Sequence, residues 1–279
     1  MEYFLLVLAL IWIIFATIQD LRKREIANWL NFSLIIFALG FRFFYSLFSL
    51  GEFNFFYQGL LGLGVFFILH NLLYYGKFFA GGDAKLFFAL GAILPINDTF
   101  IVNLKLFLIF FFIFIFVAAV YSLLASLGIS LKNFKKFRKE FSKQLKKHKD
   151  KIYPVLFLGL AFMIFGLTDS VFLFLGILIF GLPYLYLYAK SVDESCMIKS
   201  VKVSELTEGD WLYKDVKVSR GKIVKANWNG LTKEDIKLIK KKHKTIKIRY
   251  GIPFSPVFLI SLILFILFKN WFVLWNTFL

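Results

Sequence analysis

From Phe107 to Tyr121 the chain is an unbroken run of phenylalanine, leucine, isoleucine, valine and alanine closed by one tyrosine, and Phe258 to Phe268 repeats the pattern with a single serine. A soluble core has no use for such runs. A bilayer does, because an α-helix needs about 20 apolar residues to cross its hydrocarbon layer. The composition agrees: 59% of the 279 residues are hydrophobic and the mean hydropathy is +0.74, against roughly half apolar in a soluble domain. The chain reads as an all-α polytopic membrane protein.

Matching apolar runs to the bilayer gives about eight transmembrane helices, near 3–19, 29–48, 56–76, 84–96, 101–128, 153–168, 170–189 and 254–275. The run Ala84 to Ile96 is long enough only for a short, tilted or deeply buried helix. The pair around Gly166-Leu167-Thr168-Asp169 reads either as two spans or as one broken helix. With the first loop cytoplasmic, Arg22, Lys23, Arg24, Lys77, Lys85, the run Lys132 to Lys151 and the stretch Lys190 to Arg249 all fall inside. The opposite loops carry Glu52, Asp98 and Asp169 with almost no base, the distribution expected of the positive-inside bias. Both termini then face outside.

Five segments follow. Residues 1–128 form an N-terminal membrane bundle, 129–152 a basic amphipathic segment, 153–189 a pair of spans, 190–250 a small soluble α+β domain inserted before the last helix, and 251–279 the C-terminal span. In the second, Phe134, Phe137, Phe141 and Leu145 recur at helical spacing among lysines, which suits a membrane surface. In the fourth, Asp215 to Val218 and Lys222 to Lys225 alternate about an Arg220-Gly221 turn and predict a hairpin. Thr232 with Asp235 predicts a capped helix to about Lys242, and Thr245 to Tyr250 a strand.

A net charge of +17 raises the question of nucleic acid. No helix-turn-helix, zinc or aromatic-platform pattern accompanies it, and anionic lipid headgroups are the simpler counterpart. The single cysteine, Cys196, gives neither an internal disulfide nor a thiolate zinc cluster, and His70, His148 and His243 lack metal-ligand spacing. No metal and no cofactor is expected.

Two carboxylates stand where carboxylates are expensive. Asp20 closes the first apolar run and Asp83 opens the fourth, in Gly81-Gly82-Asp83-Ala84-Lys85, and the loop charges put both at the cytoplasmic boundary. Each alone has a plain structural reading, as a helix cap or as a partner for Arg22 or Arg24. Together on one face they fit acid–base hydrolysis, in which like charges held close share a proton. Gly81 and Gly82 would let backbone approach the substrate or the neighbouring helix.

Three stretches resemble the archaeal prepilin and prearchaellin peptidases, membrane aspartyl proteases of the G-x-G-D type. They are Asp20 with Arg24-Glu25-Ile26-Ala27-Asn28, then Gly81-Gly82-Asp83-Ala84-Lys85, then Gly251-Ile252-Pro253-Phe254-Ser255-Pro256, the last preceded by Leu206 to Asp210. Ala80 departs from the pattern, standing where G-x-G-D has its first glycine. The resemblance implies Asp20 and Asp83 as the catalytic pair, with Gly81, Gly82 and Lys85 supporting the motif. The substrate it implies is a pilin-like or archaellin precursor with a short basic leader, cut at the cytoplasmic face. The bacterial relatives also methylate the new N-terminus with an extension bearing paired cysteines; this chain has one cysteine, so methylation is not expected. Arg24 and Glu25 are candidate substrate contacts, and Glu205, Glu208 and Asp210 can receive a basic leader if the soluble domain acts as a lid.

The rival class is an ion-coupled transporter or channel using Asp20 and Asp83 as cation or proton sites. Such proteins carry broken helices in both halves of an internal repeat, and no such repeat is evident.

Overall fold

The computed structural model describes residues 2–49, 52–218 and 222–275. In chain order its helices are α1 (Glu2–Lys23), α2 (Asn28–Phe48), α3 (Asn54–Tyr75), α4 (Gly81–Leu90), α5 (Phe100–Lys132), α6 (Phe134–Phe165), α7 (Ser170–Cys196), α8 (Lys233–Lys240) and α9 (Ser255–Trp275). Five of them, α1, α2, α3, α5 and α7, are long and apolar enough to cross a bilayer, and α9 adds a shorter apolar stretch over Ser255–Lys269. The protein is a helical polytopic membrane protein with a small strand-containing region towards its C-terminal end. The chain forms two compact units, residues 1–123 with 253–279, and residues 124–252.

In the first unit, α1 packs on α2 and α9, α2 on α3, and α3 on α4. Helical periodicity explains the contact face of α1: Leu6, Ala9, Ile13 and Ala16 recur every three or four residues and are buried, while Val7, Ile11, Ile14 and Ile18 stay exposed on the other side. That exposed apolar side is what lipid requires.

The fourth expected span departs from the rest. Ala84 to Ile96 does not form one crossing helix; α4 ends at Leu90 after ten residues, roughly 15 Å against a hydrocarbon layer of about 30 Å. The chain beyond it runs through turns to Thr99, leaving carbonyls that would each cost several kcal/mol unpaired in lipid. Polar side chains from three other helices supply the missing partners. Arg42 of α2 donates from Nε to Ala92 O (2.9 Å) and from Nη2 to Ile93 O (3.3 Å) and Pro95 O (2.5 Å). Its Nη1 donates to Phe55 O at 2.8 Å. Asn103 of α5 donates to Asn97 O (2.7 Å), and Asn54 and Gln58 of α3 both donate to Asp98 O.

In the second unit, α6 and α7 form an antiparallel hairpin. Gly166 ends α6, and Asp169 caps α7 by accepting from Val171 N at 2.9 Å, so the sequence around Gly166 joins two helices and does not bend one. α6 runs without interruption from its lysine-rich first half into its apolar second half, through Pro154. Phe137 in the basic half lies edge-on to Tyr188 of α7, with ring centroids 5.6 Å apart. Of the periodic apolar residues in that half, Phe137 has a protein neighbour, while Phe134 and Leu145 stay exposed.

The strand-containing part of this unit follows its sequence signals. β1 (Ile198–Lys202) and β2 (Trp211–Leu212) flank β5 (Thr245–Arg249), both antiparallel, with Ser200 opposite Lys247 and Leu212 opposite Ile248. β3 (Val216–Lys217) pairs with β4 (Ile223–Val224), the expected hairpin, and its expected turn at Arg220-Gly221 lies outside the described residues. The Thr232–Asp235 capping box is formed on both sides and α8 ends at Lys240, close to the expected limit. Ile246 and Ile248 of β5 join Val203, Leu212, Val224 and Ile239 in one core.

Gly176 brings the backbones of the hairpin together: a Cβ there would stand 2.6 Å from Met163 N and 2.9 Å from Gly159 O. Gly181, five residues on, faces open space. Gly176→Val should therefore destabilise the protein by about 1–3 kcal/mol through overpacking, and Gly181→Ala should leave the unfolding midpoint in detergent unchanged.

Candidate active site

Asp20 lies in the last turn of α1, whose apolar periodicity carries it inward; it is 7% exposed. The helix stops soon after because Arg24 adopts the left-handed conformation (φ 61°) and its N–H returns to Asp20 O at 2.9 Å. A residue with a Cβ takes that conformation at a cost, so the surroundings must hold it. Gln19 does part of this, its Oε1 accepting from Ala27 N at 3.2 Å. The loop thus folds back beside the helix end.

That folded loop is the support for the second carboxylate. Asp83 sits in the first turn of α4, half-buried, where the helix dipole favours an acid. Ile26 is buried against Gly82, whose added Cβ would stand 3.4 Å from Ile26 Cβ. Asn31 Nδ2 donates to Gly82 O at 3.4 Å, and Lys85 Nζ donates to Asn28 Oδ1 at 2.8 Å. Residues 26–31 therefore dock the Gly81-Gly82-Asp83 turn. Ala80, in place of a glycine, is in extended backbone (φ −69°, ψ 159°) that any residue adopts, so this turn does not need the first glycine.

The third stretch completes the geometry from the other end of the chain. Ser255 N, at the start of α9, donates to Asp20 Oδ2 at 3.0 Å. Phe254 packs on Phe79, centroids 5.6 Å apart, just ahead of the Ala80 turn. Pro253 O accepts from Tyr121 OH at 3.0 Å. The start of α9 thereby touches both the Asp20 side and the α4 side, and the two carboxylates stand close enough for the charge of Asp20 to act on Asp83.

Residues 7–123 match the model of the type IV leader peptidase family. The matched segment takes in Asp20, Asp83 and Tyr121, and leaves α9 outside it. That similarity supports a protease of the leader peptidase type. No curated protein and no solved structure matches the chain significantly.

Arg24 and Glu25 are on the exposed part of the loop, close in sequence to Asp20. The acids of the other unit have local partners: Glu208 lies 3.6 Å from Lys233, and Asp210 accepts from Thr207 N. Among the described residues, no three His, Cys, Asp or Glu side chains gather as metal ligands.

No sequence pattern marks Ser255, Tyr121 or Asn31 as individual site residues. Pro253 and Ser255 were visible only as parts of a motif, and nothing local in the sequence joins them to Tyr121 or Asp20. The contact of Ser255 with Asp20 runs through the backbone N–H, so the side chain is dispensable: its Oγ is buried without a partner among the described residues. Ser255→Ala should keep the initial rate of precursor cleavage within about twofold, whereas Ser255→Pro, tolerated at a helix start, removes a hydrogen bond to a carboxylate and should lower it roughly tenfold or more.

Proposed function

We propose that this protein is a leader peptidase of the aspartic type, an endopeptidase in which Asp20 and Asp83 form the catalytic pair. Its substrates are pilin-like or archaellin precursors of the archaeal kind, from which it removes a short basic leader at the cytoplasmic membrane face. The observation that carries this reading is the pair of carboxylates at two helix ends, Asp20 buried in the last turn of α1 and Asp83 in the first turn of α4, with the start of α9 touching both sides.

A pair of carboxyls sharing one proton contains both groups that peptide hydrolysis needs. The ionised carboxyl takes a proton from water as its oxygen attacks the scissile carbonyl, while the protonated one donates to that carbonyl oxygen. In the tetrahedral intermediate the C–N bond then breaks and a proton passes to the leaving amine. Charge is never separated far, because the two groups exchange acid and base roles within the cycle.

The cytoplasmic face is supported by the distribution of Lys and Arg between the apolar runs. Membrane lipid is the other partner, met by the exposed apolar faces of the helices. A leader followed by an apolar helix suits this setting: the helix shares the bilayer with α1, and the leader boundary falls at the ends of α1 and α4.

Asp20→Asn and Asp83→Asn keep the size of each group and remove its proton exchange. Each should reduce cleavage of a co-expressed precursor to below about 1% of wild type while the protein still inserts. The readout is precursor mobility on a gel, and a variant that keeps substantial activity removes its residue from the pair.

A further inference from the structure

The far end of α4 is gripped as well as its first turn, and more strongly. On α2, Asn31, Leu34, Ala38 and Arg42 form one buried stripe, each at most 1% exposed. Asn31 and Arg42 are eleven residues apart, three turns and roughly 16 Å along the same helix face. That matches the length of α4. Asn31 reaches Gly82 O at one end of it, and Arg42 reaches Ala92 O, Ile93 O and Pro95 O beyond the other. α2 is therefore a splint laid along α4 with a polar side chain at each end.

The two ends are not equally strong. At the first turn the hold is one long hydrogen bond of 3.4 Å and the exposed Lys85–Asn28 pair. At the far end one fully buried guanidinium makes four bonds, the fourth to Phe55 O of α3. Its planar fork is suited to several carbonyls at once, which a lysine ammonium is not. The seat is cut for it: a Cβ on Gly59 would come within 2.5 Å of Arg42 Cδ, and one on Gly62 would collide with Pro95.

We propose that Arg42 is a positioning residue for Asp83: by holding the far end of α4 it sets where that helix stands along its axis, and so where its first-turn carboxylate meets Asp20. The inference rests on the reading of Asp20 and Asp83 as the catalytic pair. A helix of ten residues has no membrane-spanning length to register it, so its axial position depends on what grips its ends. A shift of about 1 Å at a reacting group costs rate with little effect on substrate binding.

The test uses the full-length protein in lipid nanodiscs, with Arg42→Met, Arg42→Lys and Gly59→Ala. The last keeps the charge and displaces the guanidinium, and stands in should Arg42→Met fail to fold. On the folded fraction, kcat for precursor cleavage should fall roughly tenfold or more while KM stays within about twofold. A second readout is independent of activity. In a Cys196→Ser background, the rate at which a water-soluble maleimide modifies Ala80→Cys should change by roughly threefold on adding Arg42→Met, and that of Trp29→Cys should not. Wild-type kcat in the folded variants overturns the proposal. So does a fall in kcat with an unchanged Ala80→Cys rate, since α4 has then not moved. If Asp20→Asn leaves cleavage intact, the catalytic reading fails, and the maleimide rates still report whether Arg42 places α4.

Discussion

In lipid, every backbone N–H and C=O must find a partner inside the protein, and the first unit is organised around the one place where a helix cannot provide them. α1, α2, α3 and α5 pair their own backbone over crossing length. α4 stops at Leu90, and three buried polar side chains meet the chain where it stops: Arg42, Gln58 and Asn103 are all at or below 6% exposure. None is needed to fold an ideal apolar bundle. Together they allow an irregular segment to persist among helices, and that segment lets α4 be short.

Much of this architecture was legible in the amino-acid sequence. The long apolar runs gave helices because hydrophobic length is a direct physical demand of the bilayer, and the capping box of α8 formed because it is a local interaction between residues three apart. The run Ala84 to Ile96 misled in part, since hydropathy records that a segment is buried and not that it is helical. Gly91 and Pro95 are breaks in hindsight. The change from lysine-rich to apolar near Ile152 marks no structural border either. A helix responds to its hydrogen-bond ladder, and in α6 that ladder continues past Pro154.

The candidate site divides along the same line. Asp20 and Asp83 stood out because ionisable groups at the ends of apolar runs are costly and therefore conspicuous. Their supports did not. Ser255 N and Asp20 Oδ2 are 235 residues apart in the chain, and the interacting atom on Ser255 is backbone, which every residue but proline carries. The four partners of Arg42 are carbonyls, which no side-chain pattern can reveal.

Arg42 also bears on the rival class. A discontinuous helix beside paired carboxylates is the usual mark of a cation pathway, where unwound carbonyls take the place of the ion's water. Here the unwound carbonyls of Ala92, Ile93 and Pro95 are occupied by a guanidinium with no exposed surface. A fixed positive charge at the broken end repels a second cation and consumes the oxygens that would coordinate it. The same break that would serve transport is thus closed to it. What remains useful in a short α4 is its open first turn, where Asp83 stands half-buried within electrostatic reach of Asp20. Such a geometry favours chemistry at a helix end over passage along a helix axis.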